Sequence, residues 1–575
     1  MPRLNTSQGT TSIFCTPAGD MLFLDGSVLS SSSSRVTAEC TLRMVFAAMA
    51  PVPFLRRALL PTACAIITAL MLLLVPRSSF RSTLAADSRL SWSLIGIKPA
   101  IPTSRLHYLV PASQPNLQLC YNLVSSIVNR YPVPMLLGWN GTGDLDAAQT
   151  HLAKLRAMKR YLHSLPANED DDLAVIVDGY DIIHQLPAEI IVQRYFEIAK
   201  RADAQLADRL NISVADAHRR NFRQTLFWGP DKICFPFDPR APRCWAAPPS
   251  TLGPNAFGPR TGNGEFEFND PRWLNSGTVL GPVHDLRRLI DETMDEITAT
   301  YDPHYDLRES DQYYVSNVWA RQEYWRSKRA KGGADVSGGP EDRVLPEKRS
   351  EQHETELHVA IDYESHIFQT KAGYEPFLRR LAFEQGDGNT TMVNDDVLQI
   401  GDQFKPYPIE MPKNVRSALT RLYNELPKVR RSAAARDWIR TVKLGVNLVT
   451  KHIYAIWHCT GLKDSFDEEY RLQWWYPYTM SLLMAAVKSS QVGHLISAEP
   501  IDGRKWAPKT KFPLSYPSEA ILYGGAWSDA DGDRFVPWSE LCAAHEEVLF
   551  RGERETMAAQ PPAVTRLTRR RVQAS

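Results

Sequence analysis

The sequence predicts an α/β fold, in which buried strands alternate with helices. The clearest strand is Leu173–Val177, a continuous apolar run that ends at Asp178. Such runs are typical of strands that are buried on both faces of a parallel sheet. Apolar residues at helical spacing precede the run, and Pro187 begins another helix after it. Strand and helix therefore alternate, as they do in α/β proteins.

The remaining elements continue this alternation along the chain. The other predicted strands are Leu106–Val110, Thr225–Trp228, Gly277–Leu280 and His358–Ile361. The predicted helices are Leu117–Asn129, Asp146–Leu165, Pro187–Leu210, Asp285–Thr298 and Ser310–Lys328. Residues 331–355 are rich in glycine and charge, which predicts a loop. The chain has no internal repeat.

An uncharged apolar segment at residues 58–75 predicts a membrane anchor. A helix needs about 20 apolar residues to cross a bilayer, and arginines flank this segment on both sides. A buried core helix and a cleaved signal peptide are the alternatives. A core helix is disfavoured because the neighbouring segments are of low complexity. A signal peptide is disfavoured because no clear small-residue cleavage site directly follows the segment. We therefore expect a single-pass type II protein of the Golgi or ER membrane.

This anchor divides the chain into five predicted segments. Residues 1–57 are expected to form a disordered cytoplasmic N-terminus, 58–75 the transmembrane signal-anchor and 76–104 a short stem. The α/β domain follows at 105–494, in the lumen. Residues 495–575 are expected to be a C-terminal extension that ends in a disordered basic tail.

Composition and charge argue against a nucleic-acid partner. The chain has 66 Lys and Arg residues and 65 Asp and Glu residues, so it carries no strong basic field. Glycosylation acceptor patterns at Asn140, Asn211 and Asn389 support a lumenal location. Cys234 and Cys244 bracket a proline-rich loop. They are either a disulfide, which an oxidising lumen permits, or two unpaired thiols.

Two carboxylates follow the strand at 173–177. Asp178 and Asp181 are three positions apart across a tight turn. Ligands of open α/β sheets bind outside this carboxyl end of the strands, and carboxylate oxygens are the ligands that Mg²⁺ and Mn²⁺ prefer. Such a cation can stabilise a leaving diphosphate as a Lewis acid. The alternative for an isolated pair of this kind is an aspartate turn that caps a helix.

The segment around Asp178 resembles the D-S-Y-D metal-binding motif of collagen galactosyltransferases and of the glycosyltransferase domain of procollagen lysyl hydroxylases. Further segments within residues 105–465 resemble motifs of the same family, in the same order. They are Lys154 before the strand, Gly229–Pro236 (A-E-x-x-C-W-P), Trp273–Gly277 (Y-L-N-S-G), Ser310–Gln312 (D-D-Q), Asp362 with Ile367–Gln369 (L-D-x-x-x-x-I-F-Q) and His458–Gly461 (H-x-N-G).

The resemblance implies a GT-A-like (Rossmann-like) transferase that moves a hexose from a UDP-sugar to a protein or glycan acceptor. It implies a Mn²⁺ or Mg²⁺ ion held by Asp178, Asp181 and His458. The implied donor-binding residues are Lys154, Asp178, Asn275, Gly277, Asp311, Gly461 and Lys463, with Lys154 on the nucleotide or phosphate and Asn275 and Gly277 lining the sugar. Asp311 is the implied catalytic residue. It is either a base toward the acceptor hydroxyl or an orienting, charge-stabilising group, depending on the stereochemistry.

The chain also departs from the family pattern. Ser310 replaces the first aspartate of D-D-Q, Thr460 replaces the asparagine of H-x-N-G, and Lys463 falls one residue early. Long insertions occupy the regions 238–270 and 370–440. The donor sugar and the acceptor therefore need not be those of the collagen enzymes, and collagen itself is not the expected acceptor.

Three alternatives belong to other classes of site or function. His304 and Asp306 form an H-x-D pair that His358 or His366 would complete as an iron triad, although oxygenases of that type are built on jelly rolls. Asp529–Glu540 matches the acidic positions of a calcium loop but lacks its central glycine. A membrane-anchored, non-catalytic nucleotide-sugar-binding or glycan-binding protein with a transferase-like fold is the third alternative.

Overall fold

The computed structural model describes residues 101–333, 338–346, 355–530 and 532–559, which all belong to one compact unit. The predicted N-terminus at 1–57, the anchor at 58–75, most of the stem and the basic tail lie outside the described residues. No helix within the described residues has both the length and the apolar character needed to span a membrane.

The strands of the described residues are short, apart from two at the centre of the main sheet. They are β1 (Thr103–Pro111), β2 (Met135–Leu137), β3 (Leu173–Val177), β4 (Ile182–His184), β5 (Leu226–Asp231), β6 (Trp273–Pro282), β7 (Val359–Ile361), β8 (Phe368–Thr370), β9 (Leu378–Ala382), β10 (Thr390–Val393), β11 (Tyr407–Glu410), β12 (Lys443–Asn447), β13 (His452–Ile453), β14 (Ile456–His458), β15 (Lys505–Pro508), β16 (Gly525–Ser528) and β17 (Arg534–Pro537).

The longer helices lie between these strands. They are α1 (Leu117–Val128), α2 (Ala153–Ser164), α3 (Ala188–Arg209), α4 (Val214–Arg219), α5 (Val283–Thr300), α6 (Asp311–Ala330), α7 (Lys413–Glu425), α8 (Ala435–Thr441), α9 (Phe466–Arg471), α10 (Thr479–Gln491) and α11 (Arg551–Ala558). Every strand and helix that the sequence predicts before residue 362 is present. The largest difference is at α2, which begins at Ala153 because the Asp146 carboxylate accepts the Ala148 amide at 2.9 Å in a preceding turn.

Nine strands of the described residues form the central sheet, in the order β17-β16-β2-β1-β3-β6-β5-β7, with β15 also paired to β1. Neighbouring strands from β16 through β2 and β1 to β3 are parallel, whereas β6 is antiparallel to both β3 and β5. The fold is therefore mixed α/β with a parallel-dominated central sheet, which is compatible with a Rossmann-like fold.

The two faces of the central strands pack into separate apolar cores. Tyr108 and Val175 lie in one buried cluster with α1, and Leu109 and Ile176 lie in another with α2 and α5. Successive side chains of a strand point to opposite faces. A central strand that is covered on both faces is therefore apolar at every position, and this explains the unbroken run Leu173–Val177.

The segment predicted as a C-terminal extension contributes strands to the central sheet. β15 pairs with β1, with Lys505 opposite Thr103, and β16 pairs with β2, with Trp527 opposite Met135. β1 also begins at Thr103, inside the predicted stem. Residues 105 and 494 are therefore not boundaries of this sheet. Strands of only four residues, such as these two, carry too little periodicity to be predicted.

Two disulfides join cysteines within the described residues. Cys234 and Cys244 are bonded, which decides between the two states that the sequence left open. Cys120 of α1 is bonded to Cys542, with Cα atoms 5.7 Å apart and 422 residues between them in the chain. This second bond joins the C-terminal segment to the first helix of the fold. Because the loop that it closes is so long, the bond strongly restricts the conformations of the unfolded chain.

Loss of the Cys120–Cys542 bond is expected to destabilise the protein. Cys120→Ala or Cys542→Ala should each lower the free energy of unfolding by about 2–4 kcal/mol, because either removes the cross-link. Chemical denaturation of the full-length protein measures this. The double variant should lose little more than either single variant. A double loss equal to the sum of the single losses would contradict the bond.

Candidate active site

Asp178 and Asp181 flank the turn between β3 and β4, at the carboxyl edge of the central sheet. The Asp178 amide donates to the Gly277 carbonyl of β6 at 2.8 Å. The Asn122 side chain of α1 donates to the Asp178 carbonyl at 3.0 Å. Within the turn, the Tyr180 hydroxyl accepts hydrogen bonds from two backbone amides of the loop after β1. The turn is therefore held by hydrogen bonds to β6, to α1 and to the loop after β1.

His458 joins the two aspartates through the pairing of β4 with β14. The two strands are antiparallel with Ile182 opposite His458, so the imidazole lies beside Asp181. The distance from His458 Nε2 to Asp181 Oδ2 is 3.1 Å. One possible ligand atom from each of Asp178, Asp181 and His458 lies within 4.8 Å of the others. The structure thus brings together the three residues predicted to bind metal.

The chemistry of this triad fits a divalent cation. Asp181 Oδ1 and His458 Nδ1 are buried and have no hydrogen-bond partner among the described residues. An unsatisfied buried polar atom costs roughly 1–3 kcal/mol, and a cation would satisfy the carboxylate oxygen. Two carboxylates and one imidazole are a donor set that Mn²⁺ accepts. Asp178, Asp181 and His458 are therefore able to hold such an ion.

Two lysines lie against the carboxylates. Lys154 of α2 donates to Asp178 at 2.5 Å and to Asp311 at 2.8 Å, and Lys463 donates to Asp181 at 2.6 Å. Burial alone would lower the pKa of Lys154, but the carboxylates of Asp178 and Asp311 raise it above its ordinary value. Burial likewise opposes ionisation of Asp181, yet His458 and Lys463 lower its pKa overall. Lys154 and Asp181 are therefore charged at neutral pH.

Gly277 permits the close packing of the triad. A Cβ atom at this position would lie 2.1 Å from Cε1 of His458 and 2.8 Å from Oδ2 of Asp178. The sequence motif implied that the glycine lets a sugar approach the backbone. In the structure, the group that approaches it is the His458 ring, so the lack of a side chain serves the candidate metal site.

A fourth carboxylate, which the motifs did not predict as a site residue, lies beside Asn275. Asp231 is the last residue of β5, and a bulge between Trp228 and Gly229 sets its register against β6. The Asn275 and Gln312 side chains donate to Asp231 Oδ2 at 3.3 and 3.4 Å. Burial raises the pKa of Asp231, and these hydrogen bonds offset the rise only in part. The sequence did contain one signal for Asp231, because this residue stands at the acidic position of the segment that resembles A-E-x-x-C-W-P.

The residues that depart from the family pattern have local structural roles. The Ser310 hydroxyl accepts the Tyr313 amide at 3.3 Å and so caps α6, a role that serine and aspartate both fill. Asp311 therefore remains the first residue of this helix. The Thr460 hydroxyl accepts the Ala372 amide at 2.8 Å, which joins the loop after β14 to the loop after β8.

A cavity of about 530 Å³ opens beside the triad, and we call it the donor cavity. Its walls include Lys154, Asp178, Asp181, Asp311 and Lys463. Its volume is in the range of small-molecule sites. Asn275 and Gly277, by contrast, do not line the donor cavity, and neither does Gly461. It has a left-handed backbone, with φ 71°, and lines a separate cavity on the other side of the loop 459–465.

Two other groups of potential metal ligands are less suitable. They are His107 with Glu169 and Asp172, and Glu364 with His366 and His452. Both oxygens of Glu169 already accept from Lys509 at 2.6 Å. The rings of His366 and His452 are stacked 3.6 Å apart, so their in-plane lone pairs do not converge on one ion. Among the described residues, no such group includes His304 or Asp306 of the predicted H-x-D pair.

The predicted calcium loop forms the hairpin between β16 and β17. Asp529 accepts from Arg160 at 2.6 Å and from a backbone amide at 2.9 Å, and Glu540 accepts from Arg534 at 2.6 Å. These two calcium-type ligands are therefore engaged in other contacts, and Asp531 lies outside the described residues.

Comparison with known proteins does not add to this site. No protein-family model matches the chain, and no curated protein matches it significantly. The resemblance to collagen glycosyltransferases therefore rests on the motifs and on their order along the chain.

Substitution of Gly277 tests whether the triad binds metal. Gly277→Ala places a methyl group against His458 and Asp178, so we expect the affinity for Mn²⁺ to fall about 10–100-fold. Isothermal titration of the full-length protein with MnCl₂ measures this. Gly253→Ala is the matched control, because its Cβ would meet no atom within 4 Å. Equal Mn²⁺ affinity in the two variants would contradict the assignment.

Proposed function

We propose that the protein is a metal-dependent glycosyltransferase that moves a hexose from a UDP-sugar to a protein or glycan acceptor. The observation that carries the proposal is the triad of Asp178, Asp181 and His458, which has an unsatisfied carboxylate oxygen and whose two aspartates line the donor cavity. Nucleotide ligands of open α/β sheets bind at this edge. The parallel-dominated central sheet, which is compatible with a Rossmann-like fold, supports the finer proposal of a GT-A-like fold.

In the proposed reaction, Asp178, Asp181 and His458 would hold Mn²⁺ or Mg²⁺, which would supply Lewis-acid stabilisation of the charge on the diphosphate. The acceptor hydroxyl oxygen forms a bond with the anomeric carbon of the donor sugar. The bond between that carbon and the β-phosphate oxygen breaks, and its electron pair leaves with UDP. The hydroxyl proton passes to a carboxylate of the protein.

Lys154, Asp311 and Lys463 position the donor in this scheme. The Lys154 ammonium bridges Asp178 and Asp311, so that one carboxylate oxygen of Asp311 is already engaged in a charge-assisted hydrogen bond. Of the two roles left open for Asp311, we therefore favour an orienting contact to a sugar hydroxyl over that of the base. Lys463 is about half-exposed at the mouth of the donor cavity, so its ammonium is placed to contact a phosphate.

Asp231, which lies beside Asn275 and Gln312 and lines neither of the cavities described, is the carboxylate that we propose as the proton acceptor. Its hydrogen-bond partners Asn275 and Gln312 carry no charge, and its pKa is raised by burial. A base is more effective when its pKa lies closer to the working pH. A carboxylate base at this position would serve an inverting transfer.

We further propose that the protein is a single-pass type II membrane protein of the Golgi or ER, with this domain in the lumen. Its partners would be the UDP-sugar, the acceptor and the membrane. The two disulfides support an oxidising compartment. Asn140 and Asn211 of the glycosylation acceptor patterns are exposed, as attachment of a glycan requires.

Hydrolysis of UDP-sugars by the full-length protein tests the function. With UDP-glucose, UDP-galactose and other UDP-sugars, we expect release of UDP that requires Mn²⁺ and stops with EDTA. Asp181→Ala should lower the rate at least about 100-fold, because it removes a metal ligand. Asp402→Ala, at an exposed aspartate away from the donor cavity, is the control. If UDP binds in a Mn²⁺-dependent manner but is not released from any UDP-sugar, the protein is the non-catalytic binding protein. If UDP does not bind at all, the proposal is rejected.

Replacement of Asp231 tests the assignment of the base. Asp231→Asn should lower kcat for transfer by about 10²–10⁴ and leave the Mn²⁺ affinity unchanged. In the wild-type protein, the rate should fall as the pH drops through the raised pKa of Asp231, since a protonated carboxylate accepts no proton. The variant should lose this acidic limb of the pH profile. An unchanged kcat would show that the proton goes elsewhere.

A further inference from the structure

A second cavity, of about 620 Å³, lies on the other side of the loop 459–465 from the donor cavity. Lys463 lines the donor cavity, whereas its neighbours Leu462 and Asp464 line the second one. The loop that follows His458 is therefore a wall common to both. The volume of the second cavity also lies in the range of ligand-binding sites.

Half of the residues that line this second cavity belong to segments that have no counterpart in the family that the chain resembles. Phe266 belongs to the insertion at 238–270, and Glu375 and Arg379 belong to the insertion at 370–440. That half of the wall is therefore specific to this chain. The cavity lies where a transferase needs a substrate site specific to its own acceptor, next to the site of the donor.

The charges that line this cavity are balanced. Its three basic side chains are matched by three acidic ones, Glu375, Asp464 and Glu469. Lys371 Nζ lies 3.2 Å from Asp464, and Arg380 pairs with Glu469. An anionic ligand would have to break these pairs, so the cavity offers it little net attraction.

The same lining suits a ligand rich in hydroxyl groups. Ionised side chains make stronger hydrogen bonds to hydroxyl groups than neutral side chains do. Leu462 and Phe266 add apolar surface, and Leu462 is 77% exposed. A saccharide ring has hydroxyls at its edge and an apolar C–H face. It therefore matches both parts of this lining.

We propose that the second cavity is the acceptor site and that the acceptor is an uncharged saccharide. The proposal rests on the transferase function proposed above. The acceptor occupies the side of the loop 459–465 opposite to the donor cavity, and its hydroxyl reaches the anomeric carbon past the tip of that loop, close to Lys463. The loop thereby separates the two substrates and aligns them.

Transfer to defined glycosides by the full-length protein tests this. The donor is the UDP-sugar that is hydrolysed, and the acceptors are the methyl glycosides of lactose, maltose and chitobiose, with sialyllactose as the anionic counterpart. We expect transfer to at least one neutral glycoside and a kcat/KM for sialyllactose at least about tenfold lower. Glu375→Trp, at an exposed position of the second cavity, should raise the acceptor KM at least about tenfold and far more than the donor KM.

Two further variants complete the experiment. Glu384→Trp, at an exposed glutamate outside the cavity, should change neither KM. Ala147→Trp, at an exposed position of the donor cavity, should raise the donor KM more than the acceptor KM. The proposal would be overturned by any of three results: no neutral glycoside is used, sialyllactose is preferred, or the acceptor KM of Glu375→Trp is unchanged. Failure of the transferase function itself is distinguishable, because UDP-sugar hydrolysis without acceptor would then be absent.

Discussion

The candidate site depends on the antiparallel pairing of β4 with β14. His458 is separated from Asp181 by 277 residues, and the register that sets it opposite Ile182 brings the two side chains into contact. A slip of one residue would turn the imidazole to the other face of the strand. The indole N–H groups of Trp474 and Trp475 donate to backbone carbonyls at the end of β4 at 2.7 and 3.1 Å. These tryptophans are buried, so their hydrogen bonds support the register from within the core.

Charge balance is the second condition that the site meets. Three carboxylates, Asp178, Asp181 and Asp311, lie within reach of two ammonium groups. Ionised groups are costly to bury unless they are paired, so Lys154 and Lys463 make it possible to hold the carboxylates together. The same two lysines border the donor cavity. A diphosphate that entered with a metal ion would therefore meet groups that already compensate negative charge.

The parts that the sequence predicts are those with a strong local signal. The run Leu173–Val177 must be apolar because both of its faces are covered, and the turn that follows it therefore lies at the edge of the sheet with Asp178 and Asp181. The start of α6 was predictable too, since Ser310 caps it as an aspartate would. These signals are sufficient to place most of the candidate site.

The other parts depend on long-range packing. The role of Gly277 follows from the position of the His458 ring, and that of Asp231 follows from a bulge in β5. Half of the wall of the cavity lined by Gly461 is built by insertions whose shape no motif describes. Strands as short as β15 and β16 carry no periodicity, and the pairing of Cys120 with Cys542 cannot be deduced from spacing. For these reasons the C-terminal segment could not be assigned to the central sheet from its sequence.

The position of bound Mn²⁺ is the most direct test of the candidate site. Anomalous scattering from a crystal of the full-length protein, grown with MnCl₂ and UDP, would locate the ion. We expect a single strong peak within bonding distance of Asp178, Asp181 and His458, with the diphosphate of UDP on its open side. A metal-dependent transferase centred on this triad would be contradicted by a peak beside Glu169 or beside His366 and His452. It would also be contradicted by UDP bound away from the donor cavity.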